Sequence, residues 1–165
     1  MTEMSGARYL CEIMKAYGVS TYFFMPSMLS HTLALMDDYP IRRIMTHGEK
    51  AAVYMADGYA RVSGKVGVCC SSGGPGATNM LMGLATAHFT SPPVLAISGG
   101  IIAGQAGRGQ LQETSRAETP TDQCFTQALQ PFAKKVWDVQ QPARTGEIVR
   151  KAFAIAQADR PGAVA

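Results

Sequence analysis

Charge is scarce in this 165-residue sequence: 16% of residues are charged, the formal net charge is +3, and the lysines and arginines are scattered. That balance argues against nucleic acid as a partner. Long apolar runs are absent too, which excludes a membrane-spanning helix. The opening MTEMSGARYLCEIMKAYG interleaves Glu3, Arg8, Glu12 and Lys15 with its apolar residues and is not a signal peptide. The four cysteines include no C-x-x-C pair. Cys69 and Cys70 are adjacent in an expected strand and point to opposite faces. Free thiols in a reducing cytoplasm are therefore expected. His31, His47 and His88 are far apart and lack metal-ligand spacing, so no metal site is expected among these residues.

What is present is apolar: 47% of the residues are hydrophobic, enough for one domain with a real core. The low charge also suggests that part of the surface meets another protein. Helical and strand periods alternate along the chain. Residues 3–17 read as a helix stopped by Gly18, and TYFFM (21–25) as a strand broken by Pro26. Residues 28–38 read as a helix, IRRIMT (41–46) as a strand and 47–61 as a helix closing near Ser63-Gly64. KVGVCCS (65–71) is a buried strand, GGPG (73–76) a tight turn, 77–90 a small-residue helix and PPVLAISGG (92–100) a strand. A loop-like stretch follows to about 120; loops of that length are usually functional or mobile. A short helix near 121–129, a strand KKVWDV (134–139), a helix over 142–159 and the start of one more strand at GAVA complete the pattern.

Such alternation predicts an α/β fold: a three-layer, doubly wound sheet of about six mostly parallel strands with helices on both faces, forming one domain over 1–165. In such sheets ligands gather at the carboxyl ends of the strands. That rule selects Pro26-Ser27-Met28, His47-Gly48-Glu49 and Ser72 to Gly76.

Phosphate and hydrolase motifs fit poorly. SSGGPGATN has Asn79 where a dinucleotide fingerprint needs its last glycine, and Pro75 removes a backbone donor from the turn. Gly58 to Lys65 is one residue too long for a P-loop, and Val66 stands where Ser or Thr is required. AISGG lacks the first glycine of a nucleophile elbow. A simple nucleotide-binding α/β domain is kept as a rival reading. On helix 47–61, Ala52, Met55, Ala56 and Tyr59 share a stripe that suits close packing or an interface. Glu49 sits in the first turn, where the helix dipole favours a carboxylate without any further role.

Three stretches in order change the weight of Glu49: HGEKAAVYMADGYARVSGKVGVC, SSGGPGATNMLMGLATAHFTSPPVLAISG and QLQETSRAETPTDQCFTQALQPFAKKVWDV. Together they resemble the amino-terminal, pyrimidine-binding domain of thiamine diphosphate enzymes, nearest to the acetolactate synthase branch, over almost the whole chain. The resemblance implies that Glu49 is catalytic, hydrogen-bonding N1′ of the cofactor's aminopyrimidine and promoting the proton transfer that activates it. A carboxyl desolvated among alanines and a methionine holds its proton more readily, so it can donate as well as accept. The same resemblance places Met25, Pro26 and Ser27 against the pyrimidine and substrate. It sets Gly74, Pro75, Gly76 and Asn79 near the cofactor ring and a partner subunit, turns Gln112 toward the reacting carbon, and gives Lys134 no role.

It further implies thiamine diphosphate as cofactor, a small 2-keto acid substrate, and Mg2+ on a diphosphate-binding domain of a neighbouring chain. It also implies a homodimer or higher oligomer built through helices 47–61 and 77–90. Two departures bear on the substrate: Gly48 precedes Glu49 where relatives carry histidine, and Ser27 and Met28 replace two glycines. No G-D-G…N signature occurs. A truncated piece, lacking the central and diphosphate-binding domains and inactive alone, is therefore expected. The alternative is a non-catalytic or regulatory remnant that acts as a protein-pairing module.

Overall fold

The computed structural model describes residues 4–26, 29–100, 108 and 124–165. Its centre is a five-stranded sheet, β1 (Thr21–Phe24), β2 (Arg42–Met45), β3 (Gly67–Ser71), β4 (Val94–Ser98) and β5 (Ala163–Val164). The strands lie in the order β2-β1-β3-β4-β5 and every neighbouring pair is parallel. Seven α-helices are described: α1 (Gly6–Ala16), α2 (Ser30–Leu35), α3 (Glu49–Ser63), α4 (Pro75–Asn79), α5 (Leu81–Thr90), α6 (Cys124–Leu129) and α7 (Thr145–Gln157). The doubly wound three-layer architecture is the one the alternating periods predict.

Strands β1, β3, β4 and β5 divide their side chains between two cores, whereas edge strand β2 is mostly exposed. Tyr22, Val68 and Cys70 face Leu10, Met14, Met36 and Phe153 on one side. Phe23 and Cys69 face Val53, Ala56, Met80, Leu84 and Leu129 on the other. β3 is buried at all five residues, as a strand covered on both faces must be. Cys11, Cys69 and Cys70 are buried and form no disulfide among the described residues, and burial pushes the Cys69 thiol far above its ordinary range.

Helix α3 sits almost on the backbone of β3. A Cβ at Gly67 would lie 2.0 Å from the carbonyl oxygen of Ala56, so only glycine permits this approach. The expected stripe on this helix is turned. Ala52 and Ala56 are buried beside Val53, Asp57 and Ala60, whereas Met55 is 42% exposed and Tyr59 is half-buried against Phe23. The reason is Asp57, whose carboxylate pairs with Arg61 at 2.7 Å and so tolerates the buried face.

Three expectations change. Residues 134–139 do not form a sixth strand. Lys135 makes one isolated parallel bridge to Val164, because the adjoining β5 has only two strand residues. The helix expected over 77–90 is two helices, α4 and α5, parted at Met80, whose N–H bonds back three residues to Ala77 O in a tightened turn. The helix expected over 28–38 is α2 followed by a 3-10 turn over Met36–Asp38. Among the described residues no helix is long and apolar enough to cross a membrane, and no three His, Cys, Asp or Glu side chains gather as metal ligands.

Candidate functional site

Strand order reverses between β1 and β3, and the crevice beyond their carboxyl ends is where such sheets take ligands. Two junctions meet there. In the first, β2 passes into α3. The Thr46 N–H donates to Phe24 O at 2.8 Å, and its hydroxyl reaches Gly48 O at 2.9 Å, tying this exit to the end of β1. Gly48 is extended, and α3 then opens on Glu49 with no side chain capping its N-terminus.

In the second junction, β3 passes into α4. Gly73 is pressed against the next crossover: a Cβ there would stand 2.4 Å from Gly99 O, and Gly99 N donates to Ser71 O at 3.2 Å. Gly74 has φ +58°, a conformation that favours glycine, and Pro75 begins α4. This turn aims Gly76 and Asn79 at the first junction.

The result is a contact across thirty residues of chain. Asn79 Nδ2 donates to Glu49 Oε2 at 3.2 Å. The other carboxylate oxygen faces Gly76, where a Cβ would lie 3.0 Å from Glu49 Oε1 and 2.2 Å from Ser72 Oγ. Gly76 therefore keeps open a gap that two oxygens border. Glu49 is half-buried, so this chain alone does not give it the full desolvation expected above.

The expected site residues divide accordingly. Glu49, Gly74, Pro75, Gly76 and Asn79 converge. Met25 follows β1 beside them, its N–H on Cys70 O at 3.3 Å, with Pro26 next in the chain. Ser27 and Gln112 lie outside the described residues. Lys134 is placed elsewhere: its Nζ donates to the carbonyls of Ile155, Ala158 and Arg160 at 2.7, 2.8 and 2.9 Å and closes the end of α7. Ser72 and Thr46 are site neighbours that periodicity misses. Ser72 was signalled only by its place as the first residue after β3.

The helical residues fit an aminopyrimidine in kind. They offer a carboxylate, an amide beside it at 3.2 Å, and a glycine-lined approach in which a side chain would collide. A cavity of about 670 Å³ bounded by Leu10, Leu95, Trp137 and Ile148 lies apart and does not reach Glu49. Its lining is mainly apolar, and the convergent polar groups are in the crevice.

Residues 4–119 match the family described as thiamine pyrophosphate enzyme, N-terminal TPP binding domain. The chain is 38% identical over 168 residues to an acetolactate synthase large subunit of Parasynechococcus marenigrum, covering 98% of this chain and 25% of that protein. A probable acetolactate synthase large subunit of Methanocaldococcus jannaschii is 37% identical over 163 residues, covering 98% of this chain and 26% of that protein. The chloroplastic acetolactate synthase of Arabidopsis thaliana is 37% identical over 161 residues, covering 96% and 23%. The chain thus spans about a quarter of the length of these relatives. The crevice at the strand-order reversal, with its paired glutamate and asparagine, is set in a chain that belongs to the thiamine pyrophosphate enzyme family, matching the family's N-terminal TPP binding domain and similar to acetolactate synthase large subunits.

Proposed function

We propose that this chain supplies the pyrimidine-binding half-site of an acetolactate synthase-like carboligase or decarboxylase acting on 2-keto acids. The observation that carries the proposal is the Glu49–Asn79 contact at 3.2 Å beside the gap at Gly76. Thiamine diphosphate, when bound, would supply an electron sink for the electron pair left on the carbonyl carbon when CO2 departs from the 2-keto acid.

The chain's own part is to bind and to handle one proton. Glu49 holds that proton at its carboxyl and presents it to N1′ of the aminopyrimidine, and Asn79 fixes the carboxyl's rotation through Oε2. Met25 and Pro26 after β1, with Gly74, Pro75 and Gly76 before and within α4, form the wall on which the ring rests. Ser27 and Gln112 are assigned to the ring and the substrate by the resemblance alone, since both lie outside the described residues. The diphosphate and Mg2+ belong to a diphosphate-binding domain on a neighbouring chain, so the 165 residues alone are inactive. Helices α3 and α5 offer that neighbour a partly apolar surface, with Tyr54, Met55, Met82 and Phe89 between 37% and 65% exposed. The assembly is an oligomer of the cytoplasm.

The test is turnover of a 2-keto acid with thiamine diphosphate by the complete gene product. Glu49→Gln keeps the size and loses the exchangeable proton, so the rate falls by roughly 10²–10⁴ with an unchanged fold by circular dichroism. Equal rates remove Glu49 from catalysis. The same exposed apolar face favours a second reading, a non-catalytic pairing module. That reading prevails if neither protein turns over substrate while both still associate.

A further inference from the structure

The gap at Gly76 has two polar walls, and the function proposed above uses only one of them. Ser72 stands opposite Glu49, on a backbone that is held on every side. The preceding residue, Ser71, is fully buried; its hydroxyl donates to Ser72 O at 2.9 Å, and its carbonyl takes the Gly99 N–H. The following residue, Gly73, is clamped against Gly99 O. The Ser72 backbone is therefore fixed in place, and its Oγ lies 2.2 Å from where a Gly76 Cβ would be, with Glu49 Oε1 3.0 Å from the same point. Asn79 already occupies Oε2.

We infer that Ser72 is a positioning residue for Glu49. Its hydroxyl donates to Oε1 through one water held in the gap, so that serine and asparagine each engage a different oxygen of the carboxylate. A carboxylate with a donor on each oxygen has one orientation instead of several, which is what a proton carrier in a fixed site needs. The gap must stay free of a side chain for this contact, which gives Gly76 its reason. The contact belongs to the chain itself; its benefit to thiamine diphosphate binding rests on the function proposed above.

The test reads the carboxylate, not the reaction. Isotope-edited infrared spectra of the complete gene product, without cofactor, give the Glu49 carboxylate band as the difference from Glu49→Gln. In Ser72→Ala the antisymmetric stretch moves away from its wild-type position, and in Ser72→Thr, which keeps the hydroxyl, it stays. A band at the wild-type position in Ser72→Ala overturns the inference. Should the alanine protein fail to fold, Ser72→Cys, with a weak donor of similar size, must move the band in the same way. Thiamine diphosphate affinity then falls about tenfold in Ser72→Ala and recovers in Ser72→Thr. A moved band with no cofactor binding by the wild type leaves the positioning contact intact and overturns the proposed function instead.

Discussion

The two ends of the sheet use their polar groups in opposite ways. At the carboxyl end, α3 and α4 begin on Gly48 and Gly74 with no side chain capping either N-terminus, and Glu49 and Asn79 bond to each other. At the far end, cations are spent on closing helix C-termini. Lys134 holds three carbonyls beyond α7, and Arg160 donates to Phe89 O at 2.7 Å and to Ser91 Oγ at 2.5 Å at the close of α5. Arg61 bridges buried Asp57 and the Thr90 hydroxyl. Donors placed at the negative end of a helix dipole stabilise it. The comparison separates an end that closes helices from the end that carries the candidate site.

The contrast can be broken most severely from the middle, where both ends share a support. Gly67→Ala drives a Cβ into the backbone of α3 at Ala56 and should cost about 4 kcal/mol or more, abolishing stability and cofactor binding together. Chemical denaturation reads this, and an unchanged midpoint would mean that α3 does not rest on β3 as described. Lys134→Met comes next. It keeps the aliphatic stem but strips three carbonyls of their donor, for a loss of about 3 kcal/mol with thiamine diphosphate affinity unchanged. Weakened affinity at unchanged stability would erase the division between the two ends.

Gly76→Ala is the converse. The colliding atoms are side-chain ends rather than backbone, so stability falls only about 1 kcal/mol. Affinity for thiamine diphosphate, measured by calorimetry on the complete gene product, drops about tenfold or further as Glu49 is pushed aside.

The smallest effect is on the exposed side of α7. Lys151 first, and then Arg144, hold the Glu147 carboxyl below its usual range. A depressed carboxylate stabilises the fold above the unfolded value, and this contribution disappears as pH falls through the folded one. Stability of the wild type should therefore decline below about pH 4.3 slightly more than that of Glu147→Gln. Salt at about 1 M, with a Debye length of about 3 Å, should remove the difference, because these ion pairs face water.

Periodicity made the sheet legible because β1, β3 and β4 are apolar runs bounded by glycine, proline or serine, and α3 and α7 carry helical spacing. It overcounted at 134–139, where an alternating pattern suits a strand but only one bridge to β5 forms. It also merged α4 with α5, since nothing in a run of small residues marks the tightened turn at Met80. Of the site, Glu49, Gly76 and Asn79 were visible through a motif. Ser72 was not, because its relation to Glu49 exists only once two junctions are folded together. Lys134 stood out in the sequence without a role, since its three acceptors lie more than twenty residues away.

Taken alone, the order of the amino acids determined the layered parallel architecture and the family and singled out Glu49 as a candidate, for these depend on local spacing and on short contiguous motifs. Tertiary structure decided that Asn79 holds one oxygen of that carboxylate, that the gap at Gly76 borders the other, and which cations close helix ends. Those are matters of distance between residues remote along the chain, and only a folded backbone that presses glycine against glycine sets them.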